Sequence, residues 1–159
     1  MKTAGILLLF GLCTAIGLRL AAKKREGVDS LHALERDLSA FSAAFDGGEG
    51  SLLRIAQRGQ GVFFVQLRAY LDALQDGFAE GEAARLAAQA FAPTPLHAAA
   101  QLFFGGLSLC SREELKARTE QFQTALKEAI RDAAPQIKQA KLLRAVGVLC
   151  GAALAVLLI

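Results

Sequence analysis

The chain has no tryptophan, one tyrosine, three prolines, three cysteines and two histidines among 159 residues. Each scarcity removes a class of protein. Cys13, Cys110 and Cys150 form no CxxC pair, and an odd count suits no disulfide framework. They read as small apolar fillers in a reducing compartment. His32 and His97 have no Cys or His partners at ligand spacing, so no metal site is expected. No Gly-rich loop leads into Lys and Ser/Thr, because Gly47-Gly48 and Gly105-Gly106 lack that context, so no nucleotide cofactor is expected. The acid pairs Glu113-Glu114 and Glu80/Glu82 each stand near a helix start, where the dipole favours carboxylates. They read as solvated faces. No Ser/His/Asp set emerges from spacing, and no catalytic residue is expected.

Proline is confined to Pro93, Pro95 and Pro135, and no run alternates with a strand period. Alanine and leucine dominate, which favours helix. The expected fold class is all-α.

Negative charge is missing from both ends. All 15 acids lie within residues 26–137, beside ten bases, so the body is acidic although the whole chain carries +3. The other eight bases are Lys2, Arg19, Lys23, Lys24, Arg25, Lys138, Lys141 and Arg144. A basic excess confined to the flanks of apolar segments argues against nucleic acid and for a membrane.

Two apolar runs occupy the ends. Residues 4–22 read AGILLLFGLCTAIGLRLAA. At about 1.5 Å per residue they nearly cross a hydrocarbon layer of about 30 Å. Arg19 near the inner end can snorkel to headgroups. It also stands where the small-residue cleavage site of a signal peptide would form, so the run is expected to be retained as an anchor. Residues 142–159 form the second run, uncharged after Arg144. From Arg144 to Ile159 the helix rises roughly 22 Å, which asks for a nearly upright helix or local thinning. Gly147 and Gly151, and Gly11 with Ala15, offer small-residue faces for close helix approach, although such residues are also simply common in membrane helices. The inward basic residues Arg19, Lys23, Lys24, Arg25, Lys138, Lys141 and Arg144 are read as membrane-flanking. They place residues 23–141 in the cytoplasm and both ends of the chain at the far face.

Between the anchors the periodicity predicts five to six helices in one bundle. Asp29-Ser30 offers a cap for a stripe of Leu31, Leu34, Leu38, Phe41 and Phe45. DGGEGS, residues 46–51, ends it and supplies Ser51 as the next cap. LLRIAQR follows, then a stripe of Val62, Phe63, Leu67, Tyr70, Leu71 and Leu74. Helices are expected over 82–91 and 96–107, separated by APTP. SREE, residues 111–114, is a capping box before a last helix through Leu115, Phe122, Leu126, Ala129 and Ile130. Pro135 is expected to kink or split that helix. With no turn signal after it, the helix is expected to continue into the second anchor.

The layout resembles the stage III sporulation protein AB family. That family tends to end in a Lys/Arg-flanked LG.L.G....ILLI pattern, matched here by Arg144, Val146-Gly147, Leu149, Gly151 and Val156-Leu157-Leu158-Ile159. Thr14, Gly17 and Ala21 before the basic patch are similar as well. Its FG..LG.SD.E.Q pattern is approached by Phe104-Gly105-Gly106-Leu107, one residue short between Gly and Leu, and by Glu113, with Ser108, Cys110, Ser111 and Leu115 as departures. The resemblance spans nearly the whole chain and is loose over residues 46–103. It implies a mother-cell membrane protein of a secretion-like complex between mother cell and forespore. It further implies a cytoplasmic bundle like that of the inner-membrane platform protein of type II secretion. Its partners would be other proteins of the stage III sporulation A operon, including the AA ATPase, with self-association possible. The residues alone fit a membrane-anchored regulator or sensor too, its bundle binding some other partner.

Overall fold

The computed structural model describes residues 2–48, 51–92 and 94–157, without the side chains of residues 2–10, 13, 136, 150, 151, 154, 155 and 157. It has six helices, α1 (Lys2–Asp46), α2 (Leu52–Arg58), α3 (Val62–Gln75), α4 (Glu80–Gln89), α5 (Leu96–Phe104) and α6 (Arg112–Leu157). No strand occurs among the described residues. Residues 31–130 form one compact unit, the bundle; residues 2–30 with 131–157 form another, the paired ends. Among the described residues no helix is long and apolar enough to cross a membrane. The two apolar runs, 4–22 and 142–159, fall partly outside the residues so described.

The long helices differ from the periodicity reading. Asp29-Ser30 is not a cap, since α1 passes through it. No proline or turn pair precedes it, and the Ser30 hydroxyl donates instead to the Gly27 carbonyl at 2.8 Å within the helix. Pro135 does not split α6, which continues from Arg112 to Leu157. A proline removes one amide donor from a helix of 46 residues, and the remaining ladder holds.

The bundle's core is phenylalanine, placed by three-and-four spacing. Leu34, Leu38 and Phe41 on α1, Phe63, Leu67 and Tyr70 on α3, Phe103 and Phe104 on α5, and Leu115, Phe122 and Leu126 on α6 are buried. The Phe63 ring sits centrally, 5.2 Å from Phe41, 5.5 Å from Phe103 and 6.4 Å from Phe122. Val62, expected in the same stripe, is 56% exposed. As the first residue of α3 it precedes the turn that faces the core. Helix α4 packs only alanines inward, Ala83, Ala84, Ala87 and Ala88. It begins at Glu80, not residue 82, because the Ala79 carbonyl accepts from the amides of Glu82 and Ala83. Helix α5 stops at Phe104, not residue 107, where Gly105 is extended and Gly106 has φ +81°.

Polar groups join the helices at their ends. The Ser111/Glu114 capping box closes reciprocally: the Ser111 amide donates to Glu114 Oε2 at 2.9 Å, and the Glu114 amide donates to Ser111 Oγ at 3.2 Å. The Ser111 amide, and after it the Ser111 hydroxyl, holds the Glu114 carboxyl below its ordinary range. Ser51 occupies its cap position without a side-chain cap bond. Helix α3 ends with Phe78 N–H donating to the Ala73 carbonyl and Gly77 N–H to that of Leu74, a Schellman pattern that needs φ +86° at Gly77. Three arginines cover helix C-termini, where the carbonyls lack partners. Arg68 donates to the Ala56 and Gly59 carbonyls, Arg118 to those of Leu102 and Gly105, and Arg112 to those of Phe45 and Asp46. Much of the body's basic charge is thereby committed to the fold.

Glu80 is the most connected carboxylate. It accepts from the Tyr70 hydroxyl at 3.0 Å, the Ser108 amide at 3.1 Å and the Ser108 hydroxyl at 2.7 Å. The Ser108 hydroxyl is the largest cause holding the Glu80 carboxyl low. Burial, then Glu80, pushes the Tyr70 hydroxyl from 10.0 up to about 12. Folding therefore favours the neutral phenol. The stability this contributes is complete below pH 10.0 and is lost as pH rises toward about 12. Urea midpoints of the wild type should fall across that window more steeply than those of Tyr70→Phe. Parallel curves would show that the Tyr70 hydroxyl is not linked to folding.

Candidate functional site

The seven basic residues read as membrane-flanking all fall in the paired ends: Arg19, Lys23, Lys24 and Arg25 on α1, and Lys138, Lys141 and Arg144 on α6. Within this unit two contacts fix how the helix segments pair. A Cβ built on Gly17 would stand 3.2 Å from the Cα of Gly147 and 3.2 Å from the Leu143 carbonyl oxygen, so a side chain there would require the backbones to part by a few tenths of an ångström. Further along, Lys24 Nζ donates to Gln139 Oε1 at 2.7 Å. Position rises on α1 as it falls on α6, so the pair is antiparallel. In that register Arg144 is level with residues 19–20 and Lys141 with residues 22–23.

Of the small-residue faces offered by the sequence, Gly147 makes a close approach, to a glycine outside the Gly11/Ala15 face. Among the described residues Gly11 has nothing within 4 Å of its Cβ position, and Gly17 makes the close approach. Gly151 lies outside the residues whose side chains are described. The missed signal was the spacing from each glycine to its nearest basic cluster, which aligns Gly17 with Gly147.

Among the described side chains of this unit the buried residues are small: Gly17, Val28, Ala133 and Ala140. Lys24 is half-buried, and the other six basic residues are exposed. Three of the seven, Arg25, Lys141 and Arg144, line a cleft of about 610 Å³ with Leu18, Ala21, Ala22, Glu26, Asp29, Ile137 and Ala140. Arg19, Lys23, Lys24 and Lys138 do not line it. Glu26 and Asp29 were missed as cleft residues, because nothing local in their sequence marks them.

In the bundle, His97 Nδ1 donates to the Ala88 carbonyl at 2.9 Å and so closes the end of α4. His32 is exposed, with Nδ1 3.3 Å from Glu35 Oε2. Cys110 is a half-buried free thiol in a depression of about 330 Å³ beside Ser108, Ser111 and Arg112, with no histidine or acid in its lining. Among the described residues no three His, Cys, Asp or Glu side chains cluster to hold a metal.

The glycine contact gives a direct expectation. Gly17→Leu places a bulky side chain against the opposing backbone, which must move apart to admit it, and overpacking costs about 1–3 kcal/mol. An introduced cysteine pair across the helices, Lys24→Cys with Gln139→Cys, should be bridged by a short bifunctional thiol reagent in an otherwise cysteine-free chain, and at least several-fold more slowly once Gly17→Leu is added. Gly11→Leu, facing open space, should leave the rate unchanged. Equal rates for both leucine variants would disprove the close approach.

No family model matches the chain, and no curated protein or solved structure matches it.

Proposed function

We propose that the chain is a membrane-anchored platform subunit without enzymatic activity. Its two ends, residues 4–22 and 142–159, are antiparallel transmembrane anchors, and residues 23–141 carry a cytoplasmic helical bundle. The observation that carries this reading is the distribution of apolar surface in the paired ends. Among the described residues their buried side chains are glycine, alanine and one valine, while Leu12, Ile16, Leu142, Leu149 and Val156 point outward at 53–74% exposure. A unit folded in water buries leucine first and leaves small residues where they fall. In hydrocarbon that preference vanishes, and helices associate through small residues that let backbones approach. Gly17 against Gly147 is such an approach.

The flanking charge supports the orientation. No acid occurs outside residues 26–137, and the inward ends of both runs are basic, which favours the cytoplasm for the bundle. The resemblance to the stage III sporulation protein AB family supports the further step, a scaffold of a secretion-like complex between mother cell and forespore, docking the AA ATPase. The full-length protein, tagged and solubilised from sporulating mother cells, should bring down a secretion-type ATPase. Recovery of the intact membrane protein without that ATPase, under conditions that retain other complex members, would reject the scaffold role and favour a sensor or regulator.

A further inference from the structure

The cleft in the paired ends is graded along its length. Its α1 wall runs from apolar Leu18, Ala21 and Ala22 to Arg25, Glu26 and Asp29, and the antiparallel α6 wall sets Arg144 and Lys141 opposite the apolar part and Ile137 opposite Glu26. From Leu18 to Asp29 the helix rises about 16 Å. A headgroup layer is about 5–8 Å thick on each side of the hydrocarbon. With the anchors oriented as proposed, the Leu18 end reaches toward hydrocarbon, with Arg144 and Lys141 beside it, and the Asp29 end stands on the headgroup side.

We propose that this cleft holds one anionic phospholipid with a hydroxyl-bearing headgroup, of the phosphatidylglycerol kind; the inference rests on the membrane reading above. Its volume of about 610 Å³ lies within the range of small-molecule sites. The phosphate diester sits among Arg25, Lys141 and Arg144, since guanidinium and ammonium groups donate charge-assisted bonds to phosphate oxygens. Basic pockets between membrane helices on the cytoplasmic side recognise such headgroups. The three cations and two carboxylates of the lining leave a net +1, which one diester anion neutralises and a zwitterion does not. Glu26 and Asp29 select the rest of the headgroup. Their oxygens accept from hydroxyls and repel a second phosphate or a carboxylate. One acyl chain lies along Leu18, Ala21 and Ala22.

The test uses the full-length protein, purified in mild detergent and equilibrated with phosphatidylglycerol, phosphatidylethanolamine, phosphatidylserine or phosphatidylcholine. Bound lipid is counted by native mass spectrometry. One phosphatidylglycerol should be retained per chain, at least tenfold in preference to the others. The combined Lys141→Gln and Arg144→Gln variant should lose about tenfold or more in retention, with its helical circular dichroism intact. Lys138→Gln, outside the cleft, should retain the lipid. Equal retention of the four lipids, or unchanged retention in the double variant, overturns the lipid site and leaves the anchors standing. Release of the wild-type chain from membranes by alkaline carbonate overturns both.

Discussion

Replacing Phe63 by alanine should unfold much of the bundle's cooperativity at a cost of about 3–5 kcal/mol. The ring is fully buried and lies within 6.4 Å of five others, those of Phe41, Phe64, Phe103, Phe104 and Phe122. Its neighbours come from α1, α3, α5 and α6, so no single helix can move to close the cavity. Lost edge-to-face contacts add to the lost burial. A domain of this size has about 5–15 kcal/mol in total, so the loss is a large fraction. Amide exchange in α3 and α5 should accelerate by roughly two to three orders of magnitude, at about 1.4 kcal/mol per tenfold. Val62→Ala, one residue earlier but exposed, should change exchange by less than about threefold. Comparable effects at both positions would mean that the phenylalanine cluster is not the centre of the core.

The second large effect concerns the membrane. Val148 lies on the outward side of α6 and is 43% exposed. An arginine there would face lipid near the middle of the proposed span, which costs about 2.5–3.5 kcal/mol on insertion scales. The segment is short, so this is enough to shift most chains to a non-inserted state. Alkaline phosphatase fused after Ile159 reports crossing, since it is active only beyond the membrane. The Val148→Arg fusion should lose most of its activity. Leu142→Arg, beside Lys141 at the proposed headgroup level, should lose little, because its charge can snorkel. Equal activity for the two fusions would contradict a buried span at residue 148.

Local signals were legible and tertiary ones were not. The Ser111/Glu114 box closed as written, because both partners lie within one turn. The stripes found Leu38, Phe41, Leu67 and Phe122, because three-and-four spacing is set by helix geometry. The same rule misplaced Val62, because a stripe says nothing about where the first turn begins. Asp29-Ser30 looked like a start since its residue types favour caps, but a cap needs a break before it, and α1 has none there. The bonds that tie elements together join distant positions. Asp37 Oδ2 accepts from the Phe63 amide at 3.3 Å, and a Cβ on Gly61 would overlap that carboxylate. Arg118 reaches the end of α5, and Glu80 reaches Ser108. No period or spacing encodes such pairs. At the candidate site the basic clusters were legible from composition, whereas Glu26, Asp29 and the Gly17 contact needed the register of α1 against α6.

The central claim is that one chain crosses the membrane twice, with its bundle on the basic, cytoplasmic side. Paired cysteine labelling tests it most directly. In an otherwise cysteine-free chain, Thr3→Cys stands outside the first run and Gln60→Cys on the exposed surface between α2 and α3. A membrane-impermeant maleimide added to intact cells should label Thr3→Cys at once and Gln60→Cys only after lysis. Labelling of both before lysis, or of neither, would contradict the account.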